Sequence, residues 1–480
     1  MPLPPSAVDL DRFDEVMTPT RRRALVTIAL GEFVDGYDLI VIGGVLLAVG
    51  PQWHLSTGQT GLLSAITFFG SAVGAVVFGD LADRIGRRRI FVVNLVAFVG
   101  LTVLSAMVPG FALLLVTRAL IGVAIGADIA ASMSFLAELS PKQSRGGWMG
   151  AFPQIAWTVG ALVSVFTDAA LLEWGGPHAW RWMLALGAGP AVVVLLLRRS
   201  LPDSPRWLLS QGRDAQAHEA FAELGIPGTL TAAPEPAPVR QSVRAFAEVF
   251  RAPWTAAALF AVLVTGLSAY VGGASSVLGP YVFQQIGNLT PVQSELAGAV
   301  IWAGGISGAV TAFFVLDRMS RVTSLVIALL GVFGVYLMMI TVAWGTSWLI
   351  PLYFLQGYFT WFGASVNWIL AGELLPTRLR GRALGLAHGF SRANIGVSAW
   401  IVPPLLASVG FRPLVLTFGT LGVLLAGYSL TARRFDAAGR SLDDASHDEQ
   451  LRGLRGAASH PARPPVARTL GEPTAVFGEA

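Results

Sequence analysis

The chain has 480 residues, of which 54% are hydrophobic and only 13% are charged, and its mean hydropathy is +0.63. A soluble protein of this length needs far more charge on its surface, so the composition indicates an integral membrane protein. The chain contains no cysteine, which excludes disulfides, thiol catalysis and zinc–thiolate sites.

Apolar runs of about 20 residues or more recur along the chain, and about 20 helical residues cross a bilayer core of roughly 30 Å. Twelve spans, numbered 1 to 12, are predicted at 24–50, 60–81, 89–108, 111–138, 147–171, 180–199, 254–285, 295–316, 322–343, 347–372, 383–408 and 413–432. They form an N-terminal six-helix bundle, 24–199, and a C-terminal one, 254–433. The predicted cytoplasmic parts are an N-terminal segment, 1–23, a central loop, 200–253, and a disordered tail, 434–480.

Span 1 carries three carboxylates inside an otherwise apolar stretch, "GEFVDGYDLIVIGG", 31–44. Glu32, Asp35 and Asp38 are spaced by three residues and therefore form one slanted stripe on a helix. A charge at bilayer depth costs about 2.5–3.5 kcal/mol on insertion scales, so it persists mainly where it faces a bundle interior. Because burial and mutual repulsion both disfavour the charged form, we expect one of these acids to load and release a proton.

Three further charged residues fall at heights compatible with this stripe: Arg118 and Asp128 on span 4, and Arg392 on span 11. The predicted proton-coupling set is therefore Glu32, Asp35, Asp38, Arg118 and Asp128. Arg118 could instead form a purely structural pair with a span 1 acid, since buried charges need partners. Glu32 could instead be a solvated entrance residue.

A substrate pocket is predicted between the two bundles. Arg392 is the candidate to receive a substrate carboxylate, because a guanidinium binds carboxylates in two-pronged geometry; its alternative is a contact with lipid headgroups. The other candidate substrate-binding residues are Tyr37, Gln154, Trp157, Trp361, Asn367 and Trp368. Each tryptophan could equally face lipid. Asp168 is expected to meet water near an outer helix end, and His388 to lie in the core or the pocket wall.

The loops that follow the spans contain an internal repeat. "AELSPKQSRGGWMG" after span 4 and "GELLPTRLRGRALG" after span 10 share the pattern E-L-x-P-x-x-x-R-G-x-x-x-G. At offsets of 234 or 235 residues, the matched pairs are Glu138 with Glu373, Arg145 with Arg380, Asp83 with Asp317, and Arg84 with Arg318. Two landmarks with nearly the same offset predict two halves of six helices each, a plan in which the site lies between the halves at mid-membrane.

These motifs resemble a known transporter superfamily. "GDLADRIGRRR", 79–89, resembles the loop between helices 2 and 3 of the major facilitator superfamily, and "RALIGVAIG", 118–126, resembles its helix 4 motif. The resemblance implies an all-α membrane protein with twelve transmembrane helices in two six-helix repeats, working by alternating access. We expect the charged loop residues to form a gate, unless they only fix topology; they are Asp83, Arg84, Arg87, Arg88, Glu138, Arg145, Asp317, Arg318, Glu373 and Arg380.

Two families compete within that superfamily. "DGYD", 35–38, looks like the signature of the aromatic acid–proton symporters, whereas "LPDSPRWLL" after span 6, Gln154 and Trp368 resemble the sugar porters. Sugar porters usually carry a Gln-Gln pair and an Asn in the middle of helix 7, but span 7 has glutamines only at its outer end. The expected function is therefore proton-coupled symport of a small organic acid, such as an aromatic acid, with a sugar or polyol as the alternative.

Other function classes lack their motifs. The sequence has no H-E-x-x-H, no G-x-S-x-G and no P-loop, so neither a membrane enzyme nor a nucleotide-driven pump is expected. We expect a monomer in the lipid bilayer of the plasma (inner) membrane, with a small-molecule substrate and protons as ligands and with no metal or cofactor.

The arginines predict the orientation. They cluster before span 1, in the central loop and after spans 2, 4, 8 and 10, whereas the opposite loops have only Arg181 and Arg412 at their edges. Positive loops stay cytoplasmic, so both termini are predicted inside, and this regular alternation argues against a nucleic acid partner. A tag at either terminus should thus be protected from a membrane-impermeant label in intact cells; labelling from outside would reverse the assignment.

Overall fold

A computed structural model of the chain describes residues 7–8, 16–226, 229–230, 247–251, 254–277, 279–287, 289–341, 346–375 and 377–431. Spans 1 to 6 are the helices Pro19–Ile40 with Ile42–Gln52, Thr57–Ile85, Arg87–Met107, Phe111–Leu139, Phe152–Trp174, and Ala179–Leu186 with Ala188–Arg198. Spans 7 to 12 are Thr255–Val277 with Gly279–Gly287, Pro291–Val315, Arg321–Thr341, Thr346–Leu374, Thr377–Val409 and Phe411–Thr431.

The predicted fold is confirmed, and the differences lie at the ends of the helices. Span 1 begins at Pro19 rather than 24, and span 11 at Thr377 rather than 383. Hydropathy marks only the apolar part of a span, whereas a helix continues into its polar end as long as its backbone hydrogen bonds do. A π-helical turn, Gly146–Ala151, precedes span 5. The predicted disordered tail lies outside the described residues.

The central loop contains structure of its own. Two short helices, Pro205–Ser210 and Asp214–Glu223, lie at the end of the bundle where span 6 ends. Their apolar side chains Trp207, Leu208, Ala217 and Ala220 form a small separate cluster. Two-residue strands, Ala7–Val8 and Thr229–Leu230, pair in parallel. The loop is thus partly folded against the end of the bundle that we predict to be cytoplasmic.

The outer surface of the bundle suits hydrocarbon. Val93, Phe314 and Leu424 expose 68%, 64% and 65% of their surface. Ten helical segments of the described residues, which belong to spans 1 to 9 and 12, are long and apolar enough to cross a membrane. The helices of spans 10 and 11, which are 29 and 33 residues long, pack against them. Apolar side chains on this scale would not be left in contact with water, so this surface is the lipid-facing one.

The two halves meet along two interfaces, span 2 against span 11 and span 5 against span 8. At the end of the bundle opposite the chain termini, the backbone of Gly61 lies so close to span 11 that a β-carbon would be 2.4 Å from the carbonyl oxygen of Trp400. At the end that carries the termini, Asp317 of span 8 accepts hydrogen bonds from the backbone N–H groups of Gly146 (2.7 Å) and Gly147 (3.1 Å). The halves therefore touch at both ends of the bundle.

Candidate functional site

A cavity of about 120 Å³ lies between the halves. Phe68 of span 2 and residues of span 5 line it from the N-terminal half, and spans 7 to 11 line it from the other. Six of the predicted substrate-binding residues are in its wall: Gln154, Trp157, Trp361, Asn367, Trp368 and Arg392. Tyr37 is not. Its hydroxyl donates to the carbonyl of Met183 at 3.0 Å, which fixes it inside the N-terminal half.

Tryptophans dominate the wall of this cavity. Trp157 of span 5 stacks on Trp361 of span 10 with ring centroids 4.5 Å apart, and Trp302 of span 8 lies 5.4 Å from Trp157. Trp368 meets the ring of His388 edge-on at 4.3 Å. The lipid-facing alternative for these tryptophans does not hold. Trp302 was not predicted from the sequence, because it lies within an apolar run and no motif marks it.

Many hydrogen-bonding groups around the cavity have no partner among the described residues. They are the indole N–H groups of Trp157, Trp361 and Trp368, Gln154 Nε2, Asn367 Oδ1, His388 Nε2, and the hydroxyls of Thr265 and Ser268. Buried polar groups are normally paired, and an unpaired one costs about 1–3 kcal/mol. Most of these groups are neutral amides, hydroxyls and indoles, so the cavity offers hydrogen bonds to a ligand with few charges.

Arg118 and Asp38 form a buried ion pair next to this cavity. Arg118 Nη1 donates to Asp38 Oδ1 at 2.9 Å, Nη2 to the backbone carbonyl of Asp38 at 2.6 Å, and Nε to the hydroxyl of Thr67 at 3.1 Å. The carbonyl is available because the first helix of span 1 ends at Ile40, and the last carbonyls of a helix lack intrahelical partners. Asp38 Oδ2 has no partner among the described residues.

A second buried pair joins span 4 to span 6. Arg198 Nη1 donates to Asp128 Oδ1, its Nη2 donates to Ser132 Oγ at 3.2 Å, and its guanidinium lies 4.3 Å from the centre of the Phe91 ring. Gly31 permits this arrangement, since a β-carbon there would lie 1.9 Å from Arg198 Nη2. Sequence reasoning missed Arg198 as a site residue, because it stands at the end of an apolar run.

Glu32 and Asp35 interact with both this pair and the cavity wall. Glu32 has no exposed surface, which excludes the solvated entrance that its sequence position allowed. Both carboxylates interact electrostatically with Asp128 and Arg198 of the pair and with Arg392 of the cavity wall. Neither forms an ion pair shorter than 4 Å within the described residues, and both Glu32 oxygens lack a hydrogen bond. Arg392 is buried, so it does not reach for headgroups.

The predicted gate residues lie at the end of the bundle that carries the termini. Arg87 Nη2 donates to Glu138 Oε1 at 2.8 Å, and Arg321 donates to both oxygens of Glu373 at 3.0 Å. The two pairs occupy equivalent places in the repeat. Arg321 was missed because the repeat was aligned through Arg318, which matches Arg84. Of the remaining candidates, Arg88 donates to the carbonyl of Arg199, Arg145 is buried, Arg318 is exposed, and Asp83, Arg84 and Arg380 have side chains outside the described residues.

One prediction for the opposite end of the bundle is wrong. Asp168 does not meet water: it is fully buried, with Ser164 Oγ at 3.5 Å from its Oδ2. The reason is geometric, since Asp168 lies on the face of span 5 that packs against spans 1 and 8 rather than on the lipid or solvent face. Glu295, at the start of span 8, which packs against span 5, is also buried and was also missed.

The family is shown by comparison with known proteins. The family described as "Sugar (and other) transporter" matches residues 24–445, and the chain belongs to it. Among its relatives, the inner membrane metabolite transport protein YgcS of Escherichia coli is 30% identical over 83% of this chain and 87% of its own. The glucose transporter GlcP of Staphylococcus epidermidis is 28% identical over 88% and 95%.

A solved structure agrees on the fold. The proton:xylose symporter XylE, of the major facilitator superfamily, superposes with a TM-score of 0.72 over 89% of this chain and 98% of its own, at 23% identity. The family match makes the chain a membrane-spanning secondary transporter, and the shared fold agrees with it. The resemblance to aromatic acid–proton symporters, predicted from "DGYD", is not supported, and the sugar or polyol alternative is favoured over the organic acid.

The Arg118–Asp38 pair generates a prediction about stability. Arg118→Gln strands a buried carboxylate and frees a backbone carbonyl, so it should destabilise the protein by about 3–5 kcal/mol. Asp38→Asn keeps an oxygen for the guanidinium and leaves its two other bonds in place, so its loss should be about 1–2 kcal/mol. Thermal unfolding in detergent measures both, with the exposed Arg199→Gln as a control that should unfold like the parent. Equal losses in the two buried variants would contradict the asymmetry.

Proposed function

We propose that this chain is a proton-coupled symporter of a neutral polyhydroxylated solute, a sugar or a polyol. The observation that carries the proposal is the set of unpartnered hydrogen-bonding groups around the tryptophan-lined cavity. Hydroxyl groups of a sugar both donate and accept, so they match indole N–H, amide and hydroxyl groups together. Its C–H faces match the aromatic surfaces of Trp157, Trp361 and Trp302.

The charges around Arg392 support a neutral substrate over an organic acid. Arg392 is the one strong cation in the cavity wall described by the structure, and Glu32 and Asp35 already act on it electrostatically. A substrate carboxylate would have to compete with these two acids for the guanidinium. A neutral solute leaves the arrangement intact and takes hydrogen bonds from the uncharged groups instead.

Proton coupling would use the pair formed by Asp38 and Arg118. When Asp38 takes up a proton, the ionic part of the pair is lost, but Arg118 keeps its hydrogen bonds to the Asp38 carbonyl and to Thr67. The guanidinium is therefore never left without hydrogen-bond partners, which limits the cost when the carboxylate loses its charge. Thr67, which accepts a hydrogen bond from Arg118, is followed on span 2 by Phe68 of the cavity wall, so span 2 connects the pair with the cavity.

Glu32, Asp35 and Asp128 would serve the same coupling from the side of the termini. Glu32 and Asp35 act on the same two guanidinium groups, those of Arg198 and Arg392, so the protonation of these two acids belongs to the pair rather than to one residue. Since Arg392 belongs to the C-terminal half and the acids to the N-terminal half, the charge state of these acids acts directly on how the halves attract each other.

The gate would consist of the contacts at the end that carries the termini. Asp317 holds the first turn before span 5 through two backbone N–H groups, and Arg321 with Glu373 orients that end of the C-terminal half. A carboxylate at a helix N-terminus is favoured by the free N–H groups and by the helix dipole. Separation of the halves at this end requires these bonds to break, so they favour the state in which this end is closed.

Substrate uptake tests the proposal. Purified protein in proteoliposomes with an inward proton gradient should accumulate sugars or polyols, such as pentoses and hexoses, and not aromatic or aliphatic carboxylates. Gln154→Ala should raise the KM about tenfold, because one hydrogen bond to the solute is worth about 1.4 kcal/mol in this range. The exposed Gln211→Ala is the matched control and should leave the KM unchanged. Gradient-driven accumulation of carboxylates would refute the substrate class.

A further inference from the structure

Two buried acids lie on packed helices of opposite halves, at the end of the bundle opposite the termini. Asp168 lies on span 5, two turns before that helix ends at Trp174, and Glu295 is the fifth residue of span 8, which begins there at Pro291. Asp168 is 0% exposed and Glu295 is 1% exposed. Spans 5 and 8 pack against each other, and the charge of Glu295 acts on Asp168 across this interface.

Neither acid has a cation to balance it. Within the described residues no basic side chain forms an ion pair with either carboxylate, and Asp168 Oδ1 and Glu295 Oε1 are buried without any hydrogen bond. Span 1 also packs closely on Asp168: a β-carbon on Gly44 would lie 2.5 Å from the β-carbon of Asp168. The remaining titratable group that faces Asp168 is Tyr37 of span 1, whose hydroxyl is already bonded to the Met183 carbonyl.

Such a pair is compatible with a closed interface only when it holds a proton. An unpaired buried carboxylate costs several kcal/mol, and two that face each other also repel. One proton removes one of the two charges and with it the repulsion between the acids. If the halves separate at this end, water reaches both groups and each can ionise at little cost.

We propose that Asp168 and Glu295 form a second proton-binding site, distinct from the span 1 acids, whose occupancy closes the end of the bundle opposite the termini. A proton that binds the closed state more tightly than the open one shifts the equilibrium towards closure. The site is thus a proton-operated latch between spans 5 and 8. A metal ion is a poorer fit, because no group of three or more acids, histidines or cysteines able to hold one exists among the described residues.

Accessibility of this end tests the latch without any substrate, so the result does not depend on the proposed sugar or polyol transport. The chain has no cysteine, which makes a single introduced thiol specific. Thr60→Cys places the reporter in a crevice at this end that residues of spans 1, 2, 7 and 11 line. A second variant, His178→Cys at an exposed position, measures how the thiol reaction itself depends on pH, and the labelling rate of Thr60→Cys is divided by its rate. Purified protein in detergent is labelled with a methanethiosulfonate reagent, which removes any dependence on orientation.

The latch predicts that the normalised labelling rate at Thr60→Cys rises at least about fivefold from about pH 5.5 to about pH 8. Asp168→Asn with Glu295→Gln mimics the protonated pair, so labelling should stay low and independent of pH. Glu173→Gln, an exposed acid one turn beyond Asp168, is the matched control and should keep the rise.

Three results would overturn the proposal. A flat pH profile in the reporter protein itself would do so without any further variant, even if the neutral double variant failed to fold. A pH rise that survives in the double variant would assign it to the other acids. Labelling that follows sodium rather than pH, when sodium is replaced by choline, would show that the ligand is not a proton.

Discussion

A guanidinium group inside an apolar bundle must find in the protein the hydrogen bonds that water would otherwise give it, and this constraint organises the N-terminal half. Arg118 obtains them from Asp38, from a carbonyl freed where span 1 is interrupted, and from Thr67. Arg198 obtains them from Asp128 and Ser132, in a place that only a glycine at position 31 leaves open. The break in span 1 thus supplies a partner to Arg118, and Gly31 makes room for Arg198.

The other half contributes the groups that would recognise a solute. It supplies the uncharged residues Trp302, Trp361, Asn367 and Trp368 to the cavity wall. Arg392, in the same wall, interacts electrostatically with Glu32 and Asp35 of the first half. Most of the buried charged groups thus lie in the N-terminal half, and most of the groups that would bind the solute lie in the C-terminal half. A change in protonation alters the attraction between the halves, whereas a bound solute alters their shape complementarity, and a coupled transporter needs both effects at one interface.

Much of this organisation could be predicted from the sequence, and the failures have physical causes. Hydropathy located the spans, and the repeat located the pairs that include Glu138 and Glu373, because both signals are local. Local signals do not report which way a helix face turns, so Asp168 was expected in water and Arg198 was missed as a site residue. The substrate class depended on helix 7, where missing glutamines were read as evidence for an acid. The cavity instead takes its polar groups from spans 5, 7, 10 and 11.

The central claim is that Asp38 carries a proton while Arg118 remains bonded, and substrate-linked proton flux in Asp38→Asn tests it most directly. Asn keeps the size of Asp and an oxygen for Arg118 but cannot cycle its charge. The account predicts that this variant loses proton movement with the solute and uphill accumulation, yet still exchanges labelled for unlabelled solute across the membrane. Uphill accumulation with the parent's proton flux and pH dependence would contradict it and leave the pair as a purely structural bond.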